Sequence, residues 1–219
     1  MKQRLTLILK ELRNHAPFTM FGALSGIVLM LLFKNLNYET SRRLFYIFHP
    51  SHVLLSAIVT TAMFKLYSRK SNYVFVFLVG LFGSIGIGTL SDSLIPYVGE
   101  LLLGMHVEAH AHGHEDFAQR AHIGFIEAWY IVIPAAVAGI LIAVFRPKTK
   151  FPHAGHVLLS TWASSFHMLM AMNGRFSVLT AIGSFGFLFL AVWLPCCISD
   201  IVFPLLFVNS KVAVPLEHH

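Results

Sequence analysis

Charge is what this sequence has least of. Acidic and basic side chains make up 12% of its 219 residues, against about 25% in soluble domains, while 56% are hydrophobic and the mean hydropathy is +0.70. A soluble fold has no way to hide that much apolar surface. Cysteine is scarce too: Cys196 and Cys197 are the only two, and sequence neighbours cannot supply an ordinary framework disulfide, so the pair reads as small core residues. Missing as well are ten-residue segments that alternate apolar and polar side chains, which a transmembrane barrel requires. The run Gly26-Ile27-Val28-Leu29-Met30-Leu31-Leu32-Phe33 has no such alternation. Nor does the N-terminal stretch contain the short apolar core ending in small residues that marks a cleavable signal peptide.

What is present is a set of apolar runs near 17–33, 46–66, 72–97, 122–145, 154–173 and 177–208. A helix needs about 20 such residues to cross a hydrocarbon core, and lipid offers the backbone no other partners. The expectation is an all-α integral membrane protein with six transmembrane helices. Residues 1–16, with Lys2, Arg4, Lys10 and Arg13 among Leu5, Leu7, Ile8, Leu9 and Leu12, read as a cytoplasmic interfacial amphipathic helix. A first three-helix unit then covers 17–104, an outer loop 105–121, a second unit 122–210 and a tail 211–219. The closing Leu216-Glu217-His218-His219 looks like a tag remnant, and its histidines are set aside.

Lys and Arg set the orientation. With a cytoplasmic N-terminus, eleven (Lys2, Arg4, Lys10, Arg13, Lys65, Arg69, Lys70, Arg146, Lys148, Lys150 and Lys211) lie inside and five (Lys34, Arg42, Arg43, Arg120 and Arg175) outside. Both termini are then cytoplasmic, in a plasma or inner membrane, and Glu100, Glu108, Glu115 and Asp116 fall in the outer loop. The net charge of +6 reflects this topology and is no sign of nucleic-acid binding. The expected partners are a metal ion and the bilayer, with homo-oligomerisation left open.

The chain repeats itself. His49-Pro50-Ser51-His52-Val53-Leu54-Leu55-Ser56 matches His153-Ala154-Gly155-His156-Val157-Leu158-Leu159-Ser160 at six of eight positions, and Ser91-Asp92 with Pro96 corresponds to Ser199-Asp200 with Pro204. The shifts are 104 and 108 residues, and Gly26-Ile27 pairs loosely with Gly139-Ile140. Three crossings per unit make the second enter from the opposite side, a 3+3 inverted-topology repeat of the kind found in secondary transporters.

The repeated residues carry the chemistry. Histidines at i and i+3 share a helix face, so His49 with His52, and His153 with His156, each form a pair that can grip one ion. Asp92 and Asp200 are costly in a bilayer and ordinarily face a cavity or a partner. Pro96 and Pro204 lack the N–H that would bond the carbonyl four residues earlier, so each motif offers a carboxylate, a hydroxyl and a free carbonyl. Imidazoles with a carboxylate suit a divalent transition metal: zinc foremost, or iron, manganese, cobalt or nickel. Each motif alone also reads structurally, the His-Pro as a helix start and the Ser-Asp as a cap; it is their duplication that favours ligation.

An accessory metal-binding tract is expected in the outer loop at His106, His110, His112 and His114, with His122 and Glu127 at the start of span four, although five residues on a helix is a poor angle for joint ligation. Glycines Gly80, Gly83, Gly86, Gly88, Gly183 and Gly186 read as close-packing positions. Met168, Met170 and Met172 spread around their helix and read as core. The functional expectation is a divalent transition-metal transporter working through paired intramembrane His/Asp sites. The alternative is a metal-dependent integral membrane hydrolase acting on a lipid or other membrane-embedded substrate, with His49, His52, Asp92, His122 and Glu127 around one ion.

Overall fold

A computed structural model describes residues 2–67, 72–105, 122–146, 150–172 and 177–197. All regular structure among them is helical: α1 (Lys2–Phe33), α2 (Tyr38–Tyr67), α3 (Tyr73–Thr89), a π-helical turn (Leu90–Leu94), α4 (Ile95–Leu102), α5 (Gly124–Glu127), α6 (Trp129–Phe145), α7 (Lys150–Met172) and α8 (Val178–Cys197). Four helical stretches are long and apolar enough to cross a membrane: Ala16–Phe33, Tyr38–Lys65, Tyr73–Leu102 and Val178–Cys196. Exposed Phe21, Leu24, Leu32, Ile47, Phe82 and Ile182 give these helices apolar outer faces. The protein is an all-α integral membrane protein with multiple apolar spans.

The other two long helices depart from that pattern for different reasons. α6 is apolar but has 17 residues, about 26 Å of rise. α7 has 23 residues but carries His156, Ser160, Thr161, Ser164, Ser165 and His167, all buried. Its polarity faces inward, against α2. Burial makes the same distinction on the other side of the pair: 67% of the α2 span is buried, against 28% for the spans in α1 and α8. α2 and α7 are the central pair.

They run antiparallel, since partners rise along one helix as they fall along the other: Phe45 meets His167, Phe48 stacks on Phe166 and touches Trp162, and His52 meets His156. α1 packs on α7 and α8, whereas α6 packs on α2 and α3. Small residues permit both approaches. A side chain at Gly26 would meet Thr161 and Ser165 of α7, and one at Gly139 would lie 2.3 Å from the Leu54 carbonyl oxygen and 2.9 Å from Ala57 of α2. Gly80 and Gly88 are equally close-packed, but Gly86 and Gly186 face open space. Met168, Met170 and Met172 join Met30, Phe45 and Phe166 in the largest apolar cluster and serve as core.

Several boundaries differ from the sequence reading. Residues 2–16 and the first span form one helix with Pro17 inside it, and α2 begins at Tyr38, well before its apolar stretch. Span four is broken at Ala128 (φ −129°, ψ 37°), which separates α5 from α6. Helix also continues past Pro96 to Leu102, so Glu100 is buried in α4 and does not sit in a loop.

Candidate metal centre

α2 passes straight through Pro50, so the His-Pro pair does not begin a helix. His49 and His52 lie one turn apart on the buried face, both fully inaccessible to solvent. Facing them is the π turn. Ile95 N–H reaches back five residues to the Leu90 carbonyl, and the wider turn holds Ser91, Asp92 and Ser93, all buried. In this register the carbonyl that Pro96 leaves without a donor belongs to Ser91. Ser164 of α7 donates to it at 3.1 Å, which satisfies the group and ties α7 to the turn.

Asp92 is the hub of the centre. Its Oδ2 accepts from His49 Nδ1 at 2.9 Å and from His52 Nδ1 at 2.7 Å, while its Oδ1 accepts from the Ser91 and Ser160 hydroxyls, each at 2.7 Å. A carboxylate only accepts, so each imidazole is protonated on Nδ1 and, when neutral, has its lone pair on Nε2. These four bonds fill about the four lone-pair directions a carboxylate has. The two Nε2 atoms are buried without a hydrogen-bond partner among the described residues. Buried polar atoms are rarely left so, and an imidazole whose far nitrogen is pinned by a carboxylate is the usual state of a metal-ligating histidine.

Beside His52 stands His156 of α7, ring centroids 5.6 Å apart, and Cys196 of α8 completes a buried group. One ligand atom from each of His52, His156 and Cys196 lies within 4.8 Å of the others. Tetrahedral zinc with bonds of about 2.0–2.3 Å holds its ligand atoms about 3.3–3.8 Å apart, so the group would close in by about 1 Å around the ion. The cluster is capable of coordinating a metal ion. His49 Nε2 points elsewhere, toward α5, where Gly124 stands against its ring: a Cβ there would lie 2.4 Å from His49 Cδ2 and 2.7 Å from Nε2.

A chain of polar contacts continues toward the N-terminal end of α2. Phe45 stacks on His49 at 5.3 Å and meets the edge of His167, whose Nδ1 is 2.6 Å from Glu100 Oε1, a pair almost wholly buried. The His167 ring also meets that of His122 at 5.9 Å. His122 has φ +43°, a left-handed conformation uncommon outside glycine, and Ser93 donates to its carbonyl at 3.1 Å. It therefore precedes the helix, and its Nδ1 reaches Glu127 Oε1 at 3.3 Å, which a helical spacing of five would not have allowed. Glu127 Oε2 also accepts from Tyr46 and, at 3.2 Å, from Arg42.

The fold thus brings His49, His52, His156 and Asp92 together, and places His122 with Glu127 apart from them. Asp200, His106, His110, His112, His114 and the side chain of His153 lie outside the described residues. Sequence reasoning missed Cys196. The shift of 108 that carries Asp92 onto Asp200 carries Gly88 onto Cys196, one turn before each aspartate, and that was the available signal. It also missed the buried Glu100–His167 pair. In comparisons with known proteins the chain matches no protein family, no curated protein and no solved structure, so the centre is read from its own geometry.

Proposed function

We propose that the protein is a divalent transition-metal transporter whose ion passes the His52–His156 pair. The observation that carries this reading is the meeting of His52 with His156, its own equivalent in the repeat, at the crossing of the two central helices. In an inverted repeat with antiparallel central helices, only residues near the symmetry axis touch their equivalents. A site there belongs to both halves and can be offered to either side in turn. Two further contacts support the 3+3 arrangement. Gly26 lies against Thr161 and Gly139 against Ala57, and the shift of 104 relates Ala57 to Thr161. Likewise α1 packs on the second and third spans of the other unit, as α6 does on those of the first.

In this reading zinc is the leading substrate. Asp92 holds His49 and His52 in the metal-binding tautomer and does not itself ligate, because its oxygens are already used. Asp200 is its counterpart for the second unit, with His153 and His156. The loop histidines His106, His110, His112 and His114, with His122 and Glu127, gather ions on the outer side. Both termini are cytoplasmic, in a plasma or inner membrane.

The test is metal flux into proteoliposomes holding purified protein. Wild type should carry zinc down a gradient, and His52→Ala or His156→Ala alone should abolish that flux. Two histidines and a cysteine with a fourth position open are also the ligand set of a catalytic zinc, which favours the hydrolase as second reading. Protein that binds zinc stoichiometrically yet moves none would decide for the enzyme.

A further inference from the structure

We infer that Cys196 sets the ion selectivity of this site, and that the substrate class is the thiophilic ions, zinc with cobalt and nickel, to the exclusion of manganese, magnesium and calcium. The inference rests on the metal-transport reading and narrows it. It starts from which carboxylates are already engaged. Hard cations such as manganese, magnesium and calcium take oxygen ligands, and calcium needs six or more of them. Among the described residues, Asp92, bonded to His52 of the cluster, has both oxygens occupied by four hydrogen bonds, and Glu100 is held by His167.

Among the described residues, the group within ligand reach therefore offers two imidazoles and a sulfur. Soft and borderline metals favour that set. The cysteine does not stand alone as evidence, since His52 Nε2 is fully buried, has no hydrogen-bond partner among the described residues and belongs to the same group. Among the described residues, a thiolate also supplies the one negative charge of the ligand group, where a dication with neutral ligands alone would be expensive to bury.

The repeat makes the thiol one-sided. At the equivalent place stands Gly88, where a Cβ would lie 3.8 Å from His49 Cε1 and 3.9 Å from His52 Cε1. The nearest neighbour of such a Cβ is Val53 Cγ2 at 2.9 Å, so glycine lets α3 pack on α2 here and offers the ion no ligand. Among the described residues the outcome is three protein ligands and not four, which suits an ion that must leave again.

The experiment is a Co2+ titration of the full-length purified protein in nanodiscs. A thiolate ligand gives a sulfur-to-cobalt charge-transfer band in the near ultraviolet, beside the visible bands of tetrahedral cobalt. The band should appear in wild type and in Cys197→Ser and be absent from Cys196→Ser, which should keep visible bands from the imidazoles. Zn2+ should displace the cobalt and excess Mn2+ should not. Cys196→Ser should weaken zinc binding at least about tenfold, the smallest effect usual even for groups behind the ligands. X-ray absorption of zinc-loaded wild type needs no variant and should find one sulfur at about 2.3 Å. Cobalt bound without the band, a band surviving in Cys196→Ser, a zinc shell without sulfur, or equal displacement by Mn2+ would each overturn the inference and leave the metal-binding reading standing. A protein that binds neither cobalt nor zinc loses both.

Discussion

Asp92→Asn is the substitution whose effect can be worked most fully from the geometry. Asparagine keeps the size of the side chain. Its carbonyl oxygen can still accept from His49 and His52, and its amide can face the Ser91 and Ser160 hydroxyls once these rotate to accept. What is lost is charge. Hydrogen bonds to an ionised acceptor are roughly twice as strong as neutral ones, and they make each imidazole a better ligand. From the 2.7 Å hydrogen bond, the width of the ring and a metal–nitrogen bond of about 2 Å, the carboxylate stands roughly 6–7 Å from an ion on His52 Nε2. With an effective dielectric of about 20, a dication gains at most about 5 kcal/mol from it. Measured losses for carboxylates behind metal-bound histidines are about 10–100-fold, or about 1.4–2.8 kcal/mol. Zinc affinity should accordingly fall by about 10–100-fold in a competition titration against a chromophoric chelator, and zinc flux should be lost. Thermal melting without metal should remain close to wild type, because no hydrogen bond is left unmade. Affinity unchanged within a factor of about three would refute the reasoning, since the carboxylate would then neither orient the histidines nor feel the ion.

The remaining predictions concern packing and access. Gly139→Ala places a methyl group 2.3 Å from a backbone oxygen that cannot rotate away, and should destabilise the protein by about 1–3 kcal/mol in detergent melting. Gly86→Ala faces open space and should be neutral, or stabilising by up to about 1 kcal/mol; equal effects of the two would undo the packing account. Gly124→Ala pushes on the His49 ring and should weaken zinc binding while leaving the sulfur-to-cobalt band intact, whereas unchanged affinity would separate His49 from the site. Replacing His110, His112 and His114 together by Ala should raise the zinc concentration for half-maximal flux and leave maximal flux nearly intact; complete loss of flux would make the loop central to transport.

The helices were legible because a bilayer demands long apolar runs, and each of the six runs falls largely within a described helix. What was hard to read is where polar residues extend a helix. Tyr38, Glu39, Ser41 and Arg42 belong to α2, although their composition resembles a loop. Glu100 was taken for a loop acid for the same reason, and only the helix continuing past Pro96 shows it buried beside His167. Residue spacing named His49, His52, Asp92 and His156, but spacing does not say whether two histidine pairs on separate spans meet. The antiparallel crossing of α2 and α7 resolves that, because His52 and His156 each lie where the helices meet. No periodicity reveals a turn of the kind found at Leu90–Leu94, since it depends on which carbonyls can find other donors. Cys196 was passed over because a buried cysteine is more often filler than ligand.

That turn has a consequence for how the chain tolerates change in length. It holds about one residue more than an α turn, and it carries one buried carboxylate–histidine group, Asp92 with the α2 histidines, while the helix leaving it carries another, Glu100 with His167. The residues between Asp92 and Glu100 set the angular phase between the two carboxylates. Deleting Ser93 or Leu94 would let the α-helical ladder close, and helix beyond the deletion would turn by about 100° relative to the part before it. Both carboxylates could then no longer keep their histidines at once. Most substitutions in this stretch remove one contact, but a deletion there puts one half of the polar core out of step with the other.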